Sequence, residues 1–380
     1  MTDRRDFLLA AGVGAFALVP GTVKAETLPP LPEEKPRNHI RFAVCGISHD
    51  HVHGMIGAIQ RGGGELVAGW GLEPDKLAVF RQRYPDVKIA ATQDEILHSD
   101  VQLILSSHIA NERAGIGVRA MKAGKDFLAD KPGITTLEDL ASVRRTVAET
   151  GRIYGIMYSE RLEVKAAVHA GVLIKQGAIG KVIQTINIAP HQVAQNGGLA
   201  GGGFGRPDWF WQERQFGGIL CDIGSHQIDQ FLYYTGSTSA EVVASQVANV
   251  RHPDYPHFQD FGDMMLRGDK GFGYVRLDWF TPKGLGTWGD GRLFVLGTDG
   301  YIEVRKYANV AVSKQGNNLF LVNGDSARYI DCNNGPLPFG PQFVSDIVNR
   351  THTAQDQAQC LLAAELSIRA QLGAKRVTVA

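Results

Sequence analysis

The stretch Arg41-Phe42-Ala43-Val44-Cys45-Gly46-Ile47-Ser48-His49-Asp50-His51-Val52-His53-Gly54 decides how the chain is read. An apolar run that meets a glycine, passes through polar residues and resumes as an amphipathic pattern from about residue 53 to 61 predicts a strand, a loop and a helix. Outward from it the same alternation continues. Strands are expected at 66–70, 88–90, 101–106 and 126–129, and helices at 75–84, 94–97 and 112–123, the last stopped by Gly124. This rhythm predicts an α/β Rossmann-type domain, a doubly wound parallel sheet with ligands at its carboxyl edge.

After about residue 155 the rhythm changes. Strand-like runs at 181–188, 241–250, 263–267, 273–280, 292–296, 301–305 and 318–322 follow one another through short turns, with helices at 164–175, 218–234, 342–349 and 356–371. That pattern predicts an α+β domain with a large, mostly antiparallel sheet. A chain of 380 residues also exceeds what one core usually serves. We divide it into a Rossmann domain at 39–155 and a substrate-binding and oligomerisation domain at 156–380. Lys plus Arg and Asp plus Glu both number 39, so no net field exists to hold nucleic acid or an anionic membrane, and a small-molecule partner is expected.

Arg4-Arg5, the apolar run from Phe7 to Val19 and the Val23-x-Ala25 pattern have the order of an export signal. The apolar run is shorter than the about 20 residues a spanning helix needs. Residues 1–25 resemble a twin-arginine signal, which implies a periplasmic or secreted protein and no membrane contact once the signal is removed. Residues 26–38 hold Pro29, Pro30, Pro32 and Pro36 and read as a linker or arm. Cys45, Cys221, Cys332 and Cys360 form no C-x-x-C pair, so neither a zinc ribbon nor a structural disulfide is expected.

The loop after the first strand is where a dinucleotide fold places its phosphate turn. Gly46 answers to the first glycine of G-x-G-x-x-G, but Ser48 and His51 stand at the other two. Gly71 ends the second strand where an acid would hold the ribose; Glu73 lies two residues on. His49, His51 and His53 alternate, as metal ligands do at the first strand of a β/α-barrel hydrolase. That fold needs eight strand-helix units and later ligands, which the strand-rich second half does not supply. We assign no metal ligand here; a polar loop with His51 or His53 packed under the next helix is the plainer reading.

Two further segments carry ionisable groups. Asp130-Lys131-Pro132 follows a strand, so Lys131 should project from the sheet's carboxyl edge. The helix at 218–234 opens after Gly217-Gly218, and at 100° per residue it gathers Asp222, His226, Asp229 and Tyr233 on one face, which solvation alone would also explain.

Together these segments resemble the glucose-fructose oxidoreductase, inositol dehydrogenase and MocA family, Gfo/Idh/MocA, over nearly all the chain after residue 38. Ala123-Gly124-Lys125 with Asp130-Lys131-Pro132 is similar to its A-G-K and E-K-P signature. Asp222, Gly224, His226 and Asp229 match its D-x-G-x-H-x-x-D helix, and Gly177-Ala178-Ile179-Gly180 its turn into the second sheet. The resemblance implies NAD or NADP, held by Gly46, Ile47, Ser48, His49, Glu73, Ser107, His108, Asp130 and Lys131. It implies catalysis by Lys131 and His226 with Asp222 in support, and substrate contacts from Asp222, His226, Arg161 and Trp209. The expected activity is oxidation of a sugar or polyol hydroxyl by a tightly bound, internally recycled cofactor, in a dimer or tetramer. Two alternatives are a redox-neutral glycoside hydrolase or lyase, and a carbohydrate-binding protein that has lost its cofactor.

Overall fold

The computed structural model describes residues 26–29, 36–193 and 206–378. The export signal and residues 30–35 of the proline-rich stretch lie outside them. After a short strand β1 (Glu26–Thr27), the first domain alternates β2 (Ile40–Cys45), α1 (His51–Arg61), β3 (Gly64–Trp70), α2 (Pro74–Arg83), β4 (Lys88–Ile89) and α3 (Gln93–Leu97). It continues with β5 (Leu103–Ser106), α4 (Arg113–Lys122), β6 (Asp126–Asp130), α5 (Leu137–Thr150) and β7 (Tyr154–Met157). These strands form a six-stranded sheet in the order β4-β3-β2-β5-β6-β7, parallel throughout. Helices cover both faces of such a sheet, which is why β5, β6 and β7 are buried along their whole length. The strand order reverses between β2 and β5, and the crevice at that reversal is where ligands enter this fold.

The second domain contains α6 (Ser159–Leu162), α7 (Lys165–Lys175), β8 (Val182–Pro190), α8 (Glu213–Phe216), α9 (Ile219–Asp222), α10 (Gly224–Thr235), β9 (Ala240–Ala248), β10 (Phe261–Gly268) and β11 (Phe272–Asp278). It ends with β12 (Arg292–Gly297), β13 (Gly300–Arg305), β14 (Asn318–Asn323), β15 (Ala327–Asp331), α11 (Phe339–Asn349), α12 (Gln357–Gly373) and β16 (Lys375–Val377). Its ten-stranded sheet runs β1-β15-β14-β13-β12-β8-β11-β10-β9-β16. Most neighbours are antiparallel, while β8 and β11, β9 and β16, and β1 and β15 pair in parallel. The start of the expected arm is therefore a strand of the second sheet. Alternate residues of β12 to β14, among them Val295, Ile302, Val304, Leu319 and Leu321, pack beneath α7 in one apolar cluster.

The C-terminal helices return to the first domain. α11 packs on α1, and α12 on α5 and β7. The outer edge of β7 is closed by two amide side chains: Gln355 donates to the Ile156 carbonyl at 3.0 Å and Gln357 to that of Tyr154 at 2.8 Å, and each also accepts from the same residue's N–H. They complete a ladder that an edge strand leaves open.

Candidate active site

A cavity of about 370 Å³ opens between the domains at the carboxyl edge of the parallel sheet. Ser48, His49, Asp50, His51, Lys76 and Lys131 line it from the first domain. From the second come Glu160, His191, Arg206, His226, Trp279, Trp288, Lys306 and Tyr307.

Lys131 is placed by the buried Arg113, whose guanidinium donates to the carbonyls of His108, Asp130, Lys131 and Pro132 at 2.5 to 3.1 Å. With the backbone after β6 clamped, the Lys131 ammonium donates to Asp222 Oδ1 at 2.9 Å, and both residues are 7% exposed. Burial pushes the Asp222 carboxyl upward, but Lys131 outweighs it and the net shift is down.

The expected single helix over 218–234 is two helices, α9 and α10, which part at Ile223. Gly217 and Gly218, with φ of +89° and +84°, turn the chain between α8 and α9, and Gln371 packs against Gly218. The polar face is not solvated: Asp222, His226 and Asp229 are 7%, 3% and 0% exposed. Nor do its members share one site, because Asp229 turns to α6. There Arg161 gives it Nε at 2.5 Å and Nη2 at 3.0 Å, with the guanidinium 4.4 Å from the Tyr233 ring centre. The ion pair uses two of the five guanidinium N–H donors, and Arg161, expected as a substrate contact, is not among the residues that line the cavity. His226 does line the cavity; burial, with Lys131 and Lys306 nearby, drives its ring well below the usual imidazole range despite Glu160. It is thus a neutral imidazole, and its Nδ1 has no hydrogen-bond partner among the described residues.

Trp209 lies beside His49, ring centres 6.3 Å apart, but behind the wall of the cavity. The tryptophans on the wall are Trp279 and Trp288, with the Arg206 guanidinium 4.9 and 5.1 Å from their ring centres. Facing them is a buried pair that sequence reading missed. Glu160 Oε1 accepts from Lys306 Nζ at 2.5 Å, and the partners are 146 residues apart, so no local pattern links them.

The expected cofactor residues divide into two groups. Ser48 and His49 line the cavity, whereas Ile47, Glu73, Ser107 and His108 are packed behind it. Gly46 has φ of +103°, and a Cβ there would stand 2.4 Å from that of His108. His108 is 1% exposed and bonds Ser48 Oγ through Nδ1 at 3.0 Å. At Gly71 a Cβ would meet Ile47 Cγ1 at 2.3 Å, so the side chain of Ile47 takes the space an acid would need. Glu73 stands at the N-cap position of α2 without a side-chain hydrogen bond to the helix, and its Oε2 is buried without a hydrogen-bond partner among the described residues.

Asp130, 1% exposed, gathers four side chains. His49 Nδ1 stands 3.1 Å from Oδ2 and His51 Nδ1 3.0 Å from Oδ1, while Ser107 Oγ donates to Oδ2 at 3.0 Å and Arg113 Nη2 lies 3.2 Å from it. Burial alone would raise its carboxyl; His51, Arg113 and His49 hold it well below the usual range. Burial and His51 push His49 down to about 3, against the pull of Asp130.

Residues 168–303 match the model of the GFO/IDH/MocA C-terminal domain. A solved structure from Erwinia carotovora atroseptica SCRI1043, assigned as an oxidoreductase, is 45% identical with a TM-score of 0.84, covering 89% of this chain and all of that one. The 1,5-anhydro-D-fructose reductase of Ensifer adhaerens is 26% identical over 212 residues, 54% of this chain and 59% of that protein. The chain spans about half the length of the curated relatives it matches. Levoglucosan dehydrogenase, solved with NADH and levoglucosan, shares the fold at 15% identity with a TM-score of 0.71, covering 88% of this chain and 97% of that one.

Proposed function

Because the chain belongs to the Gfo/Idh/MocA oxidoreductase family, we propose that it oxidises a sugar or polyol hydroxyl with NAD or NADP. The observation that carries this reading is the meeting of Lys131, from the end of β6, with His226, from the first turn of α10, in one cavity walled by Trp279 and Trp288. Relatives support it by their names: the 1,5-anhydro-D-fructose reductase of Ensifer adhaerens, a scyllo-inositol 2-dehydrogenase of Bacillus subtilis and a D-xylose dehydrogenase of Paenarthrobacter nicotinovorans.

The chain's residues fit the nucleotide at one telling point. The orphaned Glu73 Oε2 at the start of α2 is an acceptor, and ribose hydroxyls are donors. Gly46, Ser48 and His49 would meet the rest of it along the loop, with Asp130 and Lys131 at its reactive end. The nucleotide, held by these residues, would supply the acceptor for the hydride of the carbinol carbon. The neutral His226 ring accepts the hydroxyl proton as the carbonyl forms. Lys131, held by Asp222, stabilises negative charge developing on the oxygen. Trp279 and Trp288 offer flat apolar faces to the C–H surfaces of a sugar ring.

Export by way of Arg4-Arg5 places the protein outside the cytoplasmic nucleotide pool, so the cofactor stays bound and a second carbohydrate takes the hydride back. The exposed side of the ten-stranded sheet, with Met265, Phe272 and Leu296, is covered by a second copy. The test is to heat-denature purified protein, identify released nucleotide by mass spectrometry, and follow paired sugars with none added. Turnover only with added nucleotide that washes off on desalting would overturn the recycling; no nucleotide bound and no sugar oxidised would overturn the whole reading.

A further inference from the structure

The loop after β2 presents two imidazoles to one buried carboxylate. His49 and His51 each direct Nδ1 at Asp130, and the three ligand atoms all lie within 4.8 Å of one another. Two atoms each about 2.1 Å from one ion stand about 3.0 Å apart when they subtend a right angle at it. The separations, 3.1 Å from His49 to Oδ2 and 3.0 Å from His51 to Oδ1, fit that spacing when the carboxylate meets the ion through both oxygens. His51 Nδ1 is hydrogen-bonded to Oδ1, but His49 Nδ1, although as close to Oδ2, makes no hydrogen bond and has no other partner among the described residues. A buried imidazole nitrogen 3.1 Å from a carboxylate oxygen, outside good hydrogen-bond geometry and with no other partner among the described residues, has its lone pair available to an ion at that point.

We propose that His49, His51 and Asp130 bind a divalent first-row transition-metal ion. Two imidazoles and one carboxylate suit zinc, cobalt, manganese or ferrous iron. The supporting contacts are those of a built site. Ser107 Oγ and the Arg113 guanidinium both hold Asp130, fixing the carboxylate in place as outer-shell partners do. Three protein ligands leave coordination positions open on the side of the cavity that His49 and His51 line, the arrangement of a reactive rather than a purely structural centre. In the sequence only the H-x-H pair was visible; the third ligand lies 79 residues beyond His51, at the end of another strand of the same sheet. The site shares His49 and Asp130 with the residues proposed to meet the nucleotide, but metal binding itself is tested without nucleotide, so its failure and that of the oxidoreductase reading are distinguishable.

The experiment strips purified protein with a chelator and titrates it with Co²⁺ alone, without nucleotide or sugar. Ligand-field absorption and metal content after gel filtration are the readouts. One Co²⁺ per chain is expected. His49→Gln and His51→Gln should each weaken binding by more than the ~10- to 100-fold that loss of an outer-shell partner costs. His53→Gln, whose imidazole bonds Tyr84 instead, should bind as the parent does. His51 is 43% exposed, so its variant remains folded even if that of His49 does not. Failure of the parent to retain Co²⁺, or unchanged affinity in His51→Gln, would overturn the proposal and leave the oxidoreductase reading standing.

Discussion

Replacing Glu160 with Gln removes one charge from the cavity wall and leaves the half-buried Lys306 without its partner. Glu160 is 7% exposed. Burial pushes its carboxyl upward, but Lys306, with His226 and His191 near it, holds the group at about 2 against an ordinary 4.5. A depressed value means the unfolded chain binds the proton more tightly. The stabilisation is therefore fully present above pH 4.5 and is lost as the pH falls toward 2. At about 1.4 kcal/mol per unit, the depression is worth about 3 kcal/mol, the low end of what breaking a buried pair costs. In a domain of this size that lowers the melting temperature by about 6 °C. Scanning calorimetry of parent and Glu160→Gln between pH 3 and 8 is the assay. The parent should melt about 6 °C higher at pH 7, and the gap should close in acid. Adding Lys306→Met to the variant should recover part of the loss. Equal melting at pH 7, or a gap that persists unchanged through acid, would refute the argument.

His226→Asn should cut kcat by at least ~10²-fold, the low end for losing a positioned base, while the melting temperature stays within a few degrees; steady-state kinetics beside calorimetry decides it. Asp229→Asn should cost about 3–5 kcal/mol of stability by stranding the Arg161 guanidinium, yet leave KM for the sugar unchanged; a raised KM with unchanged melting would return Arg161 to the substrate site. Gly71→Ala should destabilise by about 1–3 kcal/mol through contact with Ile47, and Ile47→Ala in the same chain should relieve it; additive losses in urea unfolding would refute that coupling.

What was legible in the sequence follows the range of the forces involved. The buried strands β2, β5 and β6 are continuous apolar runs, so periodicity located them to within a few residues. Other elements had local signals that were passed over: α5 starts at Thr136, whose hydroxyl accepts from the Asp139 N–H, and ends at Gly151 in the left-handed conformation. The break at Ile223 falls just before Gly224, where a Cβ would stand 2.7 Å from Met264 Cε, a meeting with a distant strand that no local pattern announces. Lys131, Asp222 and His226 were legible through motif resemblance. Glu160, His191, Arg206 and Lys306 were not, since each is placed by a fold-level meeting of distant segments. Arg161 shows the same limit from the other side: its ion pair with Asp229, 68 residues away, has no local mark in the sequence.

The departures of the first loop from the usual glycine pattern form an interlocked set. Ile47 occupies the space over Gly71, which is why an acid cannot stand at 71 and why the nearest carboxylate is Glu73, two residues on. His108 fills the space over Gly46 and bonds Ser48, so a second glycine at 48 would forfeit that hydrogen bond. His51 at the third glycine position is committed to Asp130, and Asp130 in turn is shared with His49, Ser107 and Arg113. Each substitution is therefore held by a partner from another strand end, and reverting one alone would leave a hole or a buried group unpaired. The loop is a packed structure of its own, whose side chains are fixed by contacts from three other strand ends.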